Sequence, residues 1–77
     1  MSKKIVFDYS KLRGKIVEKY GTIKKFADTV AISRSILSIK MNNRRAFSQE
    51  EIYRIAILLD IEHEISDYFF TQGVKKS

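Results

Sequence analysis

The chain has 77 residues, with one histidine and neither cysteine nor proline. This length supports a single domain, residues 1–77, with one small core, and the lack of cysteine excludes disulfides and thiolate metal sites. The single His63 cannot assemble a zinc site of three or four protein ligands, and no apolar run approaches the ~20 residues of a membrane span. We therefore expect a cytoplasmic protein with no metal, no cofactor and no membrane contact.

Positive charge is concentrated in the first part of the chain. The formal net charge is +6, and residues 1–49 hold 12 Lys/Arg against 3 Asp/Glu, whereas residues 50–77 hold 3 against 6. The first part therefore carries +9 and the second −3. Such an asymmetry favours a polyanionic partner on one side of the molecule, although a solvated basic surface is the alternative.

Residues 1–7 are basic and then β-branched, which predicts a short extended arm or strand. The first helix follows, with Asp8 or Ser10 as its cap and Gly21 as its stop. Its apolar residues recur at helical spacing: Tyr9, Leu12, Ile16 and Tyr20. Gly14 weakens the helix interior, so its presence predicts a close contact with another helix.

The segment from Thr22 to Met41 predicts two short helices joined by a three-residue turn. Thr22 caps the earlier helix, because its hydroxyl can accept a bond from a free N–H group of the first turn. The turn is Ala31-Ile32-Ser33, and Ser33 caps the later helix, which runs from about Arg34. The inward face of the earlier helix has helical spacing: Ile23, Phe26, Ala27 and Val30.

The later of these two helices has a short, uncharged outer face. At about 100° per residue, Leu37 and Met41 face the core. A helix that faces only solvent usually carries Glu and Lys, whereas small polar side chains let a backbone approach base edges in a DNA groove. Ile39 fits either a thymine methyl group or a neighbouring element of the protein. The outer stripe consists of Ser35, Ser38, Ile39 and Asn42.

A fourth helix is predicted after the basic pair Arg44-Arg45. Ser48 and Glu51 have the spacing of a capping box, and Phe47 with Ile52 that of a hydrophobic staple. A short fifth helix, roughly Glu62 to Phe69, precedes a polar tail over residues 71–77. The sequence thus predicts an all-α fold, a compact bundle of about five short helices that contains a helix-turn-helix. The residues expected to be buried by the fourth helix are Ile52, Ile55, Ala56 and Leu59.

With these residues in place, the chain resembles the small phage repressor and Cro-type proteins of the XRE-like helix-turn-helix family, over about Leu12 to Phe70. Ala27 stands at the helix-contact position and Leu37 is the buried anchor. The resemblance implies a Cro-like phage or prophage repressor that reads a double-stranded DNA operator through the major groove, near the nucleoid of a bacterial host. Three short segments also carry it: Ile32-Ser33-Arg34-Ser35, Asn42-Asn43 and Arg44-Arg45-Ala46-Phe47.

Several positions depart from the family pattern. Ile23 stands where many members have a phosphate-binding glutamine, so Thr22 or Lys24 would have to supply that contact. Ala31 replaces a turn glycine, which costs ~1–2 kcal/mol in a left-handed conformation. Lys40 stands where an apolar residue is common, and we expect it to snorkel along the core edge toward a phosphate.

The expected DNA contacts form two groups. Arg34 leads the base-reading group because its fork can pair with guanine O6 and N7, although phosphate is its alternative target. The full base-reading group is Arg34, Ser35, Ser38, Ile39 and Asn42. The group expected to contact the DNA backbone is Thr22, Lys24, Lys25, Lys40, Asn43, Arg44 and Arg45.

The resemblance also implies a homodimer on a palindromic operator, with recognition helices about 34 Å apart. The less basic end of the chain supplies the candidate surface, although its aromatic residues would alternatively complete the core. Lys3 and Lys4 would either reach a minor groove or belong to a disordered tail. The possible dimer contacts are Ile65, Tyr68, Phe69 and Phe70.

Other functional classes have weaker support. The sequence has no Ser/His/Asp arrangement and no glycine-rich phosphate loop, so we expect neither an enzyme nor a small-molecule ligand. His63 and its acidic neighbours fit a solvated face better than a metal site. The rival class is a protein-interaction module, such as an antitoxin or antirepressor adaptor, acting through the acidic and aromatic C-terminal end. RNA binding ranks lower, because no aromatic stacking platform on a sheet is predicted.

Overall fold

The computed structural model describes residues 5–73 of the chain. Within that range the all-α prediction is confirmed, and a 3-10 turn at Glu62–Glu64 precedes the last helix. The fifth predicted helix, Glu62 to Phe69, is therefore two pieces, of which only the second is α-helical. The α-helices are α1 (Ser10–Tyr20), α2 (Ile23–Val30), α3 (Arg34–Met41), α4 (Gln49–Leu59) and α5 (Ile65–Phe69).

Local capping signals explain where the helices begin and end. Thr22 Oγ1 accepts a hydrogen bond from the Lys25 N–H at 3.1 Å, and Ser48 and Glu51 form the predicted capping box. Gly21 ends α1 at a φ of 86°, a conformation that glycine adopts without strain. The start of α1 differs from the prediction, because Ser10 is the first helical residue and its N–H donates to Asp8 Oδ1 at 2.9 Å.

The core lies between α1, α2 and α4, and α5 closes it against α1 and α4. α2 contacts α1, α3 and α4, and its Ala27 is buried at this crossing, as the small side chain predicted. Each large apolar side chain removed from water contributes about 1.5–3 kcal/mol. The largest fully buried side chains are Phe26, Phe69, Leu12, Ile16, Leu37, Ile55 and Leu59.

Gly14 does not mark a helix contact, and that expectation is wrong. A Cβ atom built on Gly14 meets no heavy atom within 4 Å among the residues that the structure describes, apart from its own helix and neighbours. The residue faces solvent on α1. Packing therefore does not explain why a glycine stands at this exposed helical position.

The two ends of the described range pair with each other. The Asp8 N–H donates to the Thr71 carbonyl at 2.7 Å, and the Gly73 N–H donates to the Val6 carbonyl at 2.7 Å. These bonds flank an antiparallel bridge between Phe7 and Gln72. We call residues 6–8 and 71–73 the terminal clip. The predicted arm and tail are thus paired segments where the structure describes them, while Lys3 and Lys4 lie outside the described residues.

Candidate nucleic-acid interface

α2 and α3 are joined by the three residues that the sequence predicted, Ala31 to Ser33. Ala31 has a φ of 61° and a ψ of 40°, so the turn incurs the left-handed cost expected where the related family has glycine. Ser33 Oγ accepts a hydrogen bond from the Ile36 N–H at 3.2 Å and begins α3. Leu37 is fully buried and anchors α3 to the core. The orientation of α3 is therefore determined by a capped turn at one end and an apolar anchor in its middle.

The outward face of α3 carries most of the predicted base-reading side chains. Ile39 is half-buried, so its side chain is partly packed inside the protein and partly exposed. Its burial therefore does not decide between a thymine methyl group and a neighbouring element as its contact. The Asn42 Nδ2 group donates to the Ser38 carbonyl at 2.9 Å and approaches Ser38 Oγ at 3.4 Å. This bond orders the side chain of Asn42 at the end of α3 and leaves its side-chain Oδ1 atom to accept a further hydrogen bond. The exposed members of the face are Arg34, Ser35, Ser38 and Asn42.

Thr22, Lys24 and Lys25 lie together at the exposed start of α2. The Lys24 ammonium lies 3.6 Å from a carboxylate oxygen of Asp28, and these side chains are 70% and 73% exposed. An ion pair with that exposure contributes little to stability, so Lys24 can exchange Asp28 for another anion at small cost. The free N–H groups of a helix start also attract anions.

Lys40 does not extend toward solvent, and its expected phosphate contact must be corrected. Its side chain is 11% exposed, and its ammonium donates to both carboxylate oxygens of Glu51, to Oε2 at 2.7 Å. Glu51 is on α4 and is also the second member of the capping box. The sequence indicated correctly that Lys40 lies at the core edge, but the anion it meets there belongs to the protein.

The same cluster determines the protonation state of Glu51. Partial burial raises the pKa of its carboxyl group, but the hydrogen bond and charge of Lys40, together with hydrogen bonds from Ser48, outweigh that effect. The net result is a pKa below the ordinary value of 4.5. Glu51 is therefore ionised at neutral pH and holds α3 to α4 as a charged pair.

Asn43 is the second residue whose expected DNA contact must be corrected. Its Oδ1 atom accepts the Phe7 N–H at 2.9 Å, and its Nδ2 group donates to the Phe7 carbonyl at 2.9 Å. The side chain thus bonds to a residue 36 positions away in the chain. Its backbone is left-handed, with a φ of 65°, and the sequence gave no signal of this long-range partner.

Arg44 and Arg45 follow Asn43 in an exposed loop. The Arg44 N–H donates to the Ile39 carbonyl at 3.0 Å, which ties the loop to the last turn of α3. Arg45 lies at the edge of a cleft of about 160 Å³ whose walls include Phe7 and Phe47. Two exposed arginines thus follow directly after the end of α3 in a loop that is bonded to its last turn.

The residues predicted as dimer contacts separate into core and surface. Tyr68 and Phe69 are 5% and 1% exposed, so for these two the alternative reading holds and they complete the core. Phe70 is 52% exposed, and Ile65 is half-buried. The Lys11 ammonium covers the Tyr68 ring at 4.9 Å from its centroid. The apolar surface available for a partner at this end is therefore much smaller than the sequence suggested.

An apolar groove that was not predicted from the sequence lies between α2 and α4. Tyr53 and Ile57 are 60% and 46% exposed and line a groove of about 430 Å³ together with Val30. Arg54 also lines it, and its Nε atom is buried without a hydrogen-bond partner among the described residues. The four-residue spacing of two large apolar side chains on the outer face of α4 was the signal that could have located it.

Across residues 5–73, every helix is too short or too polar to cross a membrane. A family model described as "Protein of unknown function (DUF739)" matches residues 5–72, and the chain belongs to this family. No curated protein matches the chain.

Among solved structures, the chain is similar to the solution structure of the modulator of repression (MOR) of the temperate bacteriophage TP901-1 from Lactococcus lactis. The two share 37% sequence identity with a TM-score of 0.72, over 83% of this chain and 88% of that chain. The five-helix arrangement of the described residues is thus the fold of a small phage regulatory protein.

Proposed function

We propose that this member of the DUF739 family is a phage-type transcriptional regulator that binds operator DNA through the outer face of α3. The observation that carries the proposal is the composition of that face: exposed Arg34, Ser35, Ser38 and Asn42 on a helix held by a buried Leu37. Small polar side chains allow the close approach that base reading in the major groove needs. The similarity to a phage modulator of repression supports a role in controlling repression.

Exposed basic residues on α2 and in the loop after α3 support a backbone-contacting role. Lys24 and Lys25 lie at the start of α2, and Arg44 and Arg45 lie beyond the end of α3, all of them exposed. Each phosphate neutralised by such a residue releases counterions, with a log–log salt slope of about −0.9 per contact. Lys40 is no longer part of this set because it is paired with Glu51.

The test is in vitro selection from random double-stranded DNA at about 150 mM salt, where nonspecific attraction is weakened. We expect an enriched palindrome with half-sites about one helical turn apart, which a dimer would read. Arg34→Ala should then reduce preference at one base position by ~1–3 kcal/mol. Lys25→Ala should weaken cognate and random DNA alike and make the salt slope shallower by about one.

A control variant separates local contacts from net charge. Lys15→Ala removes the same charge from α1, which pairs Lys15 with Glu18 at 3.4 Å and does not pack on α3 in the described residues. We expect Lys15→Ala to change the salt slope less than Lys25→Ala does. Equal losses for Arg34→Ala on cognate and random duplexes would contradict base reading by Arg34.

A second candidate is an adaptor that binds a repressor protein instead of DNA. The exposed Tyr53 and Ile57 favour it, because a contiguous apolar groove on a small protein is a common protein-binding surface. In that case, selection would enrich no motif, whereas Tyr53→Ala with Ile57→Ala would abolish binding to the repressor. Arg34→Ala changes a residue that does not line the groove and would leave that binding unchanged.

A further inference from the structure

The terminal clip leaves one backbone edge that needs a partner. The two bonds of the clip use Val6, Asp8, Thr71 and Gly73, so the N–H and carbonyl of Phe7 point away from residues 71–73. Asn43 fills that edge, because its side-chain amide accepts from the Phe7 N–H and donates to the Phe7 carbonyl, both at 2.9 Å. A side chain thus takes the place that the peptide group of a neighbouring strand would occupy.

The backbone of Asn43 connects this edge to the end of α3. Its N–H donates to the Lys40 carbonyl at 3.1 Å, and the next N–H, that of Arg44, donates to the Ile39 carbonyl at 3.0 Å. Asn43 has a φ of 65°, which asparagine and glycine tolerate best. Glycine would suit the backbone but would make neither bond to Phe7. Asparagine therefore meets two requirements at once.

We propose that Asn43 is a positioning residue for the DNA contacts of Arg44 and Arg45, acting by holding the loop after α3 against the terminal clip. The inference rests on the proposed function and adds a determinant of affinity that itself touches no DNA. A loop fixed before binding loses less conformational entropy when its guanidinium groups meet phosphates. The terminal clip thereby raises the affinity for DNA without itself contacting DNA.

Two substitutions of Asn43 isolate its side-chain bonds. Asn43→Gly keeps the left-handed backbone accessible and removes both bonds to Phe7. Asn43→Asp has nearly the same size and keeps an acceptor for the Phe7 N–H, but sets a carboxylate oxygen against the Phe7 carbonyl. Circular dichroism at the temperature of the binding assay establishes that each variant is folded before its affinity is compared.

The decisive measurement is a double-mutant cycle on affinity for a duplex of about 20 base pairs carrying the selected sequence. Asn43→Gly should weaken binding by about three- to tenfold, because the loop must then be ordered when it binds. In a background with Arg44→Ala and Arg45→Ala it should cause no further loss. With Lys25→Ala, which changes a residue of α2 and leaves the loop after α3 intact, the full loss should remain.

Amide hydrogen exchange gives a readout that needs no DNA. The Arg44 amide should exchange about tenfold faster in Asn43→Gly, while amides at the centre of α1 keep their protection. Equal losses of affinity in all three backgrounds, or an Arg44 amide unaffected by Asn43→Gly, would overturn the positioning role. Wild-type protein that fails to bind any duplex would overturn the proposed function instead, so the two failures are distinguishable.

Discussion

Two lysines that look alike in the sequence, Lys24 and Lys40, lie in opposite environments. Lys24 and its partner Asp28 are 70% and 73% exposed at the start of α2. Lys40 and its partner Glu51 are 11% and 18% exposed at the junction of α3 and α4. The first pair is formed within one helix, whereas the second joins two helices through a capping residue. Both lysines were expected to contact phosphate, and only the exposed one remains available for that role.

The difference shows that basic side chains occupy two kinds of environment in so small a protein. A charge in water interacts weakly with any one neighbour and is free to bind a polyanion. A charge removed from water needs its partner at all times, because an uncompensated ion in the interior is strongly destabilising.

The largest effect is expected for Lys40→Ala. It leaves the Glu51 carboxylate in a site where that side chain is 18% exposed and without its opposite charge, so the free energy of unfolding should fall by ~2–4 kcal/mol. Urea denaturation at pH 7 measures the loss. Lys40→Met retains the apolar stem of the side chain and separates packing from charge. A Lys40→Ala protein as stable as wild type would contradict the claim that this pair holds α3 to α4.

A smaller effect is expected from acid. The folded pKa of Glu51 lies below its ordinary value of 4.5, so its contribution is complete above about pH 4.5 and is lost as pH falls through the folded pKa. Glu51→Gln still accepts the Ser48 N–H but carries no charge, so it should be less stable than wild type at pH 7 by on the order of 1 kcal/mol. That difference should shrink at pH 3. A difference independent of pH would assign the effect to packing.

The smallest stability effect is expected for Lys24→Ala, which should change the free energy of unfolding by less than about 0.5 kcal/mol. Its effect should appear in DNA binding, where the salt slope becomes shallower by about one. Lys40→Met is the matched comparison, since it removes the same charge and should leave the slope unchanged while it lowers stability. Similar slopes for the two variants would mean that exposure does not separate the two roles.

The features that could be predicted from the sequence are local ones, which depend on residues close together in the chain. The caps at Thr22, Ser33 and Ser48 and the turn between α2 and α3 depend on side chains a few positions away, and the structure confirms them. Partners of Asn43 and Lys40 could not be predicted in this way. They lie 36 and 11 positions distant, and their choice depends on how whole helices pack.

The aromatic end of the chain shows the same limit in another form. Tyr68, Phe69 and Phe70 are adjacent and similar, yet the first two are buried and the third is 52% exposed. Helical spacing predicts that the three side chains point in different directions, but it does not show which of them points toward α1 and α4. The groove beside Tyr53 differs from this case, because the four-residue spacing of Tyr53 and Ile57 was visible in the sequence, whereas the contribution of α2 to the groove was not.

The terminal clip also imposes an order of events during protein synthesis. α1 to α4 can pack before residues 71–73 are available, because the contacts among these helices involve only residues 10–59. The pairing of Phe7 with Gln72 instead closes almost the whole described chain into one ring, and it must wait until Gln72 has left the ribosome. The terminal clip is therefore the last part of the described chain that can close, after the segments that form α1 to α4 have been synthesised.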